Sequence, residues 1–328
     1  MTHISNADRR MPATFTTLIS AASLRALLDS GTAAVVIDTS FDLADPAAGE
    51  RSWRDGHLPG SLYLHLDRDL CGAKYGPDGA FRGRHPLPER SAFARTLGRC
   101  GITPATQVVV LDRQGGMYAA RLWWMLRWMG HADVAVLDGG VAAWVASGGA
   151  LVAAHLGAEP TADPVDGPVD RPVDGPAAVT ATAKPGAAPP YPDRPPLATI
   201  VTADELAAQL GRVRLVDARA AERFSGETEP LDAAAGHIPG ALNRFFKDNL
   251  GADGRFKSAA ELHAEFTPYL GLQGAQAVVH QCGSGVTACH NLLAMEHAGL
   301  PGSALYAGSW SEWSSQPSRP VCQAGRFG

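Results

Sequence analysis

The residue with the clearest chemical context is Cys282, in the run Cys282-Gly-Ser-Gly-Val-Thr287. The loop follows a short apolar stretch, Ala277-Val-Val-His-Gln281, and precedes a helical pattern over Thr287–His297. In open α/β sheets ligands bind beyond the carboxyl ends of strands, which is where this cysteine falls. Gly283 and Gly285 let the loop curl with its N–H groups turned inward, and the following helix adds a partial positive charge at its N-terminus. Both features favour an anion on sulfur, so the expected species is a thiolate, the nucleophilic form. The plain alternative is a buried structural cysteine in an ordinary strand-to-helix turn.

The other four cysteines, Cys71, Cys100, Cys289 and Cys322, lack such a context. An odd count at wide spacing argues against a disulfide framework, and no paired Cys/His spacing suggests zinc. No metal and no organic cofactor is expected from any motif. Cys289 falls two helical turns beyond Cys282 and is read as buried. A cysteine phosphatase would present its nucleophile in the same kind of loop. It would need an arginine six positions later to grip phosphate bidentately, and that position is Ala288.

The elements that must position the cysteine occur twice. Val35-Val-Ile-Asp-Thr39 matches Leu215-Val-Asp-Ala-Arg219, and Gly56-His-Leu-Pro-Gly60 matches Gly236-His-Ile-Pro-Gly240. Val108-Val-Val-Leu-Asp112 matches the strand before Cys282, and Asp138-Gly-Gly-Val-Ala-Ala-Trp144 matches Ala307-Gly-Ser-Trp-Ser-Glu-Trp313. The order is the same in both halves, the signature of a duplicated unit. Amphipathic helical patterns such as Leu24–Leu28, Ala92–Leu97, Ala203–Leu210 and Ala259–Tyr269 alternate with the short strands. That alternation predicts an α/β fold of two tandem domains, each a parallel sheet with helices on both faces. The expected boundaries are 1–151 for the first domain, 152–196 for a Pro/Ala/Asp-rich linker and 197–328 for the second. Counting back from the start of each helix places Arg113 opposite Cys282. The first half therefore reads as a non-catalytic partner that covers the site. The tryptophan-rich run Trp123-Trp124…Trp128 is read as core and interdomain packing.

The bulk properties fit this picture. The chain has 328 residues, 45% of them apolar, and a formal net charge of −5. Two domains with well-formed cores are expected, and no basic stripe indicates a nucleic-acid partner. No apolar run is long enough to span a bilayer, and no secretory leader is read, so a cytoplasmic location is expected.

Taken together, the cysteine loop, the duplicated His-(Leu/Ile)-Pro-Gly and the Gly-Ser-Trp-Ser-Glu-Trp run resemble the tandem-domain rhodanese superfamily of sulfurtransferases, and the loop is similar to that of 3-mercaptopyruvate sulfurtransferases. The resemblance implies that Cys282 takes a sulfur atom from a small anionic donor, becomes a persulfide, and passes the sulfur to a thiol, cyanide or thioredoxin-like acceptor. It implies that Gly283, Gly285, Val286 and Thr287 shape the donor site, and that Ser284 works with His85 and Asp67 of the first domain as a proton relay. It also implies that Arg223 grips the donor's anionic group. The family's second arginine, nine positions further on, is replaced here by Asp232. Arg244 or Lys247 is the expected substitute cation. Two further readings stay open: thiosulfate as the donor, and a persulfide carrier serving a partner protein.

Overall fold

The computed structural model describes residues 14–154, 188–232 and 234–323. The first half runs β1 (Leu18–Ile19), α1 (Ala21–Asp29), β2 (Ala34–Asp38), α2 (Ala48–Asp55), β3 (Leu62–Tyr63), α3 (Leu66–Asp69), α4 (Arg90–Arg99), β4 (Gln107–Leu111), α5 (Ala119–Trp128), β5 (Val134–Leu137) and α6 (Gly140–Ala146). The second half runs β6 (Thr199–Ile200), α7 (Ala203–Gln209), β7 (Arg214–Asp217), α8 (Ala221–Ser225), β8 (Leu242–Asn243), a 3-10 turn (Phe246–Asn249), α9 (Ala259–Leu270), β9 (Val278–Gln281), α10 (Ala288–His297), β10 (Ala304–Leu305) and α11 (Ser309–Ser314). The two sheets are all parallel and have the same order, β1-β5-β4-β2-β3 and β6-β10-β9-β7-β8.

Helices cover both faces of each sheet, as the near-continuous apolar strands require. Along β4, Val108 and Val110 belong to one core with Phe93 and Leu97 of α4, while Val109 and Leu111 belong to another with Leu24 of α1 and Trp144 of α6. The second sheet repeats this: Val216 and Val278 pack on Phe266 of α9, and Leu215 and Val279 pack on Leu206 of α7 and Trp310 of α11. Local capping fixes several helix starts. Ser20 accepts from the Ser23 N–H, and Thr202–Glu205 and Ser258–Glu261 form reciprocal capping boxes.

The halves meet along α5 and α10. Every residue from Ala119 to Leu126 and from Ala288 to Met295 is buried. Leu122 and Trp124 share one apolar cluster with Cys289 and Leu292, so the two domains are joined through a common core. Trp123 and Trp124 therefore serve packing, as expected. Of the stretch assigned to the linker, residues 155–187 lie outside the described residues. Its last part folds against the first domain. Tyr191 is buried, its N–H bonds the Ala94 carbonyl at 2.9 Å, and its hydroxyl meets His131 at 3.0 Å. No helix among the described residues is long and apolar enough to cross a membrane.

Candidate active site between the two domains

Cys282 follows the central strand β9. Gln281 is registered with Asp217, and the Ala218 N–H bonds the Gln281 carbonyl at 2.9 Å. From there the chain turns sharply. The Cys282 N–H donates to the Ser309 hydroxyl at 3.1 Å, and that hydroxyl donates to the Tyr306 carbonyl at 2.9 Å. Ser309 itself is left-handed, with φ of 53°. The Gly285 N–H points back at the Cys282 sulfur, at 3.2 Å. Gly285 has φ of +77°, and a Cβ there would fall 2.2 Å from the Ala307 carbonyl oxygen, so only glycine closes this loop. The Cys282 side chain is 1% exposed, yet it lines a cavity of about 200 Å³ between the domains. Gly283, Ser284, Val286 and Thr287 line the same cavity.

Register also identifies the counterpart of Cys282. Leu111 pairs with Asp38 as Gln281 pairs with Asp217, and the Val141 N–H bonds the Asp112 carbonyl as the Trp310 N–H bonds that of Cys282. Asp112, not Arg113, therefore occupies the equivalent position. The turn into α5 is one residue longer than the turn into α10, which shifts any alignment made from helix starts. Arg113 is exposed and caps the Ser52 and Gly56 carbonyls. Asp112 is buried, and its two oxygens accept from the N–H groups of Gln114, Gly116, Tyr118 and Ala119 at 2.8–2.9 Å.

His85 reaches across from the first domain. Its Nδ1 lies 2.8 Å from the Ser284 hydroxyl, and its Nε2 lies 3.5 Å from Asp67 Oδ1, beyond ordinary hydrogen-bond length. Burial, reinforced by Arg121 and Arg84, pushes the His85 imidazole down to about 3, so it is neutral at pH 7. Buried Arg121 of α5 holds both sides of the seam, donating to the Gly285 carbonyl at 2.9 Å and to the His85 carbonyl at 3.1 Å. The sequence reading missed Arg121, Ser309 and Arg84. A lone arginine inside the apolar run Ala119-Ala-Arg-Leu-Trp-Trp was the available signal for the first.

Arg223 lines the cavity, and its Nη2 bonds Glu229 at 2.7 Å and Asp232 at 3.1 Å. The Asp232 side chain is 3% exposed and ion-paired to both Arg223 and Arg84, which also lines the cavity. The acid thus does not confront the donor as a bare charge. The expected substitute cations are not in the site. Arg244 is buried over the Phe266 ring and bonded to Glu265 at 2.6 Å, and Lys247 is exposed. Cys289 is buried beneath the loop, where its thiol donates to the Gly285 carbonyl at 3.3 Å and burial pushes it up to about 12. His57 and His237 of the two His-(Leu/Ile)-Pro-Gly runs bond the Trp53 and Phe224 carbonyls and stack on those rings, which makes them turn fasteners.

A cysteine at the carboxyl end of the central strand, in one of two copies of the same sheet, is the arrangement against which similarity can be judged. The rhodanese-like domain family matches residues 20–147 and 202–316. The chain belongs to the rhodanese-like family. It is 42% identical to a probable 3-mercaptopyruvate sulfurtransferase of Pseudomonas aeruginosa over 88% of this chain and 91% of that one. It is 36% identical to a putative thiosulfate sulfurtransferase of Mycobacterium tuberculosis over 93% of this chain and 96% of that one. Among solved structures it resembles a 3-mercaptopyruvate sulfurtransferase from Leishmania major, with a TM-score of 0.73 and 26% identity over 93% of this chain and 76% of that one. This rhodanese-like protein matches the domain twice, with Cys282 after the central strand of the second match and Asp112 at the equivalent place in the first.

Proposed function

We propose that the protein is a sulfurtransferase that moves sulfur from 3-mercaptopyruvate through a persulfide on Cys282 to a thiol, cyanide or thioredoxin-like acceptor. The observation that carries this reading is the 2.8 Å contact between His85 and Ser284 across the domain seam, beside Cys282. The Cys282 thiolate attacks the donor's thiol sulfur, the carbon–sulfur bond breaks, and the electron pair leaves as the enolate of pyruvate. The new persulfide still carries the donor's S–H proton. Passing that proton to the enolate gives pyruvate and a persulfide anion, so atoms and charge balance. Ser284, neutral His85 and Asp67 are the groups proposed to relay it, and a relay through a neutral imidazole needs no charged histidine at rest. The Gly285 amide faces the Cys282 sulfur, which carries the thiolate charge before the attack.

Thiosulfate is the alternative donor, and the paired guanidiniums of Arg84 and Arg223 favour it. Its leaving group, sulfite, is a stable anion at pH 7 and needs no relay. A carrier that exchanges sulfur only with a partner protein fits less well, because Cys282 is 1% exposed and faces a cavity sized for a small molecule. With all five cysteines free, the reducing cytosol is the proposed setting. The test compares kcat/KM for the two donors at equal acceptor concentration, in the native protein and in His85→Ala. The expected result is a preference for 3-mercaptopyruvate that falls about 10²-fold or more in the variant, with thiosulfate turnover little changed. A native preference for thiosulfate, or equal losses on both donors, would overturn the reading.

A further inference from the structure

Arg121 of α5 is 0% exposed. Its guanidinium donates to the Gly285 carbonyl at 2.9 Å and to the His85 carbonyl at 3.1 Å, while its buried Nε has no hydrogen-bond partner. Among the described residues it forms no ion pair. The arginines that line the cavity differ in this. Arg84, Arg219 and Arg223 are paired with Asp217, Glu229 and Asp232, three against three.

A guanidinium cannot shed its proton in a protein, so burial does not neutralise it. A buried charge with no opposite charge is costly, and two carbonyl dipoles offset only part of that. Cys71, Cys289 and His85 all feel the charge of Arg121, yet none answers it. Burial pushes both thiols up to about 12 and the imidazole down to about 3, so all three are neutral at pH 7. The Asp67 side chain is 37% exposed and approaches His85, not Arg121. What remains is the sulfur of Cys282. Gly285, which accepts from Arg121, turns its own N–H to that sulfur at 3.2 Å. Cys289, whose thiol donates to the same Gly285 carbonyl, also feels the charge of Cys282.

We propose that Arg121 is the counter-charge of the Cys282 sulfur anion. It is a positioning residue that holds Gly285 and His85 across the seam and makes guanidinium and sulfur a neutral pair. The balance survives sulfur loading, because a thiolate and a persulfide anion each carry one negative charge. The inference rests on the reading above only in taking Cys282 as the reacting sulfur, and it requires no particular donor.

The test follows alkylation of Cys282 by iodoacetamide as a function of pH, with the site located by peptide mapping. It compares the native protein with Arg121→Gln, which keeps an N–H donor without the charge, and with Arg121→Lys. In Arg121→Gln, the pH at which the rate reaches half its plateau should move up by about one unit or more. Arg121→Lys should stay close to the native profile. An unmoved profile in Arg121→Gln would overturn the proposal, as would an equal displacement in Arg121→Lys, which would mean that shape and not charge matters. Cys282→Ser gives a second readout that needs no change at Arg121. It leaves the guanidinium without its partner, so its melting temperature at pH 8 should fall by about 5 °C or more. An equal or higher melting temperature would overturn the proposal. A native protein that moves no sulfur would sink the function proposed above, while these two readouts would still decide the role of Arg121.

Discussion

In the first domain, the turn after β4 closes on a carboxylate, whereas in the second, the turn after β9 closes on a sulfur. Asp112 accepts four backbone N–H groups at 2.8–2.9 Å, and Cys282 accepts one at 3.2 Å and faces a cavity. The two turns hold the same place, after the central strand of matched sheets, but the first is one residue longer and directs more amides at its side chain. What also differs is whether the turn is filled. A carboxylate that accepts four backbone N–H groups makes the first turn a structural clasp. A thiol that accepts one backbone N–H and lines a cavity leaves the second turn open to a ligand. On the proposed reading, one turn holds the fold and the other carries the chemistry, and the first domain places His85, Arg121 and Arg84 beside the second turn.

Emptying the filled turn should break the comparison most strongly. Asp112→Ala strands four donors, three of them buried, and should cost about 3 kcal/mol of stability, with Asp112→Asn costing less because one carbonyl oxygen remains. Chemical denaturation would measure both. If Asp112→Ala is as stable as the native protein, the first turn is not a clasp. Sulfur transfer measured well below the melting temperature should be nearly unchanged.

Acid sharpens the comparison at smaller amplitude. His85, His280 and His290 are buried, and burial pushes them down to about 3, 3 and 4. An unfolded imidazole titrates near about 6.5, so below that pH the unfolded chain binds the extra protons. The stability these residues contribute is complete above pH 6.5 and is lost as pH falls toward 4 and then 3. Two of the three sit in β9 and α10, so amide exchange at pH 5 should rise in β9 before it rises in β4. A melting temperature that climbs between pH 6.5 and 4.5, or earlier exchange in β4, would contradict this.

Much of this was legible in the sequence, and the failures share a cause. The duplicated strands and the cysteine loop follow from local runs that repeat in order, whereas the pairing of His85 with Ser284 came only from the family resemblance. The counterpart of Cys282 was misplaced by one residue because helix periodicity does not report strand register, and the two turns differ in length. Arg244 was expected in the site because it follows the second His-Ile-Pro-Gly, yet its partner Glu265 lies on α9, and only the tertiary fold brings them together. Arg84 was overlooked for the same reason: its partner Asp232 is distant in sequence and in the other domain. Charge pairs of this kind are set by packing between elements, and no spacing rule encodes them.

The central claim is that, of the two matched turns, only the one at Cys282 carries sulfur. The direct measurement is the intact mass, followed by peptide mapping, of the protein treated with 3-mercaptopyruvate and no acceptor. One added sulfur per chain, located on Cys282, absent in Cys282→Ser and discharged by cyanide with pyruvate formed in equal amount, is the predicted result. No added sulfur, or sulfur on Cys71, Cys100, Cys289 or Cys322, would contradict the account.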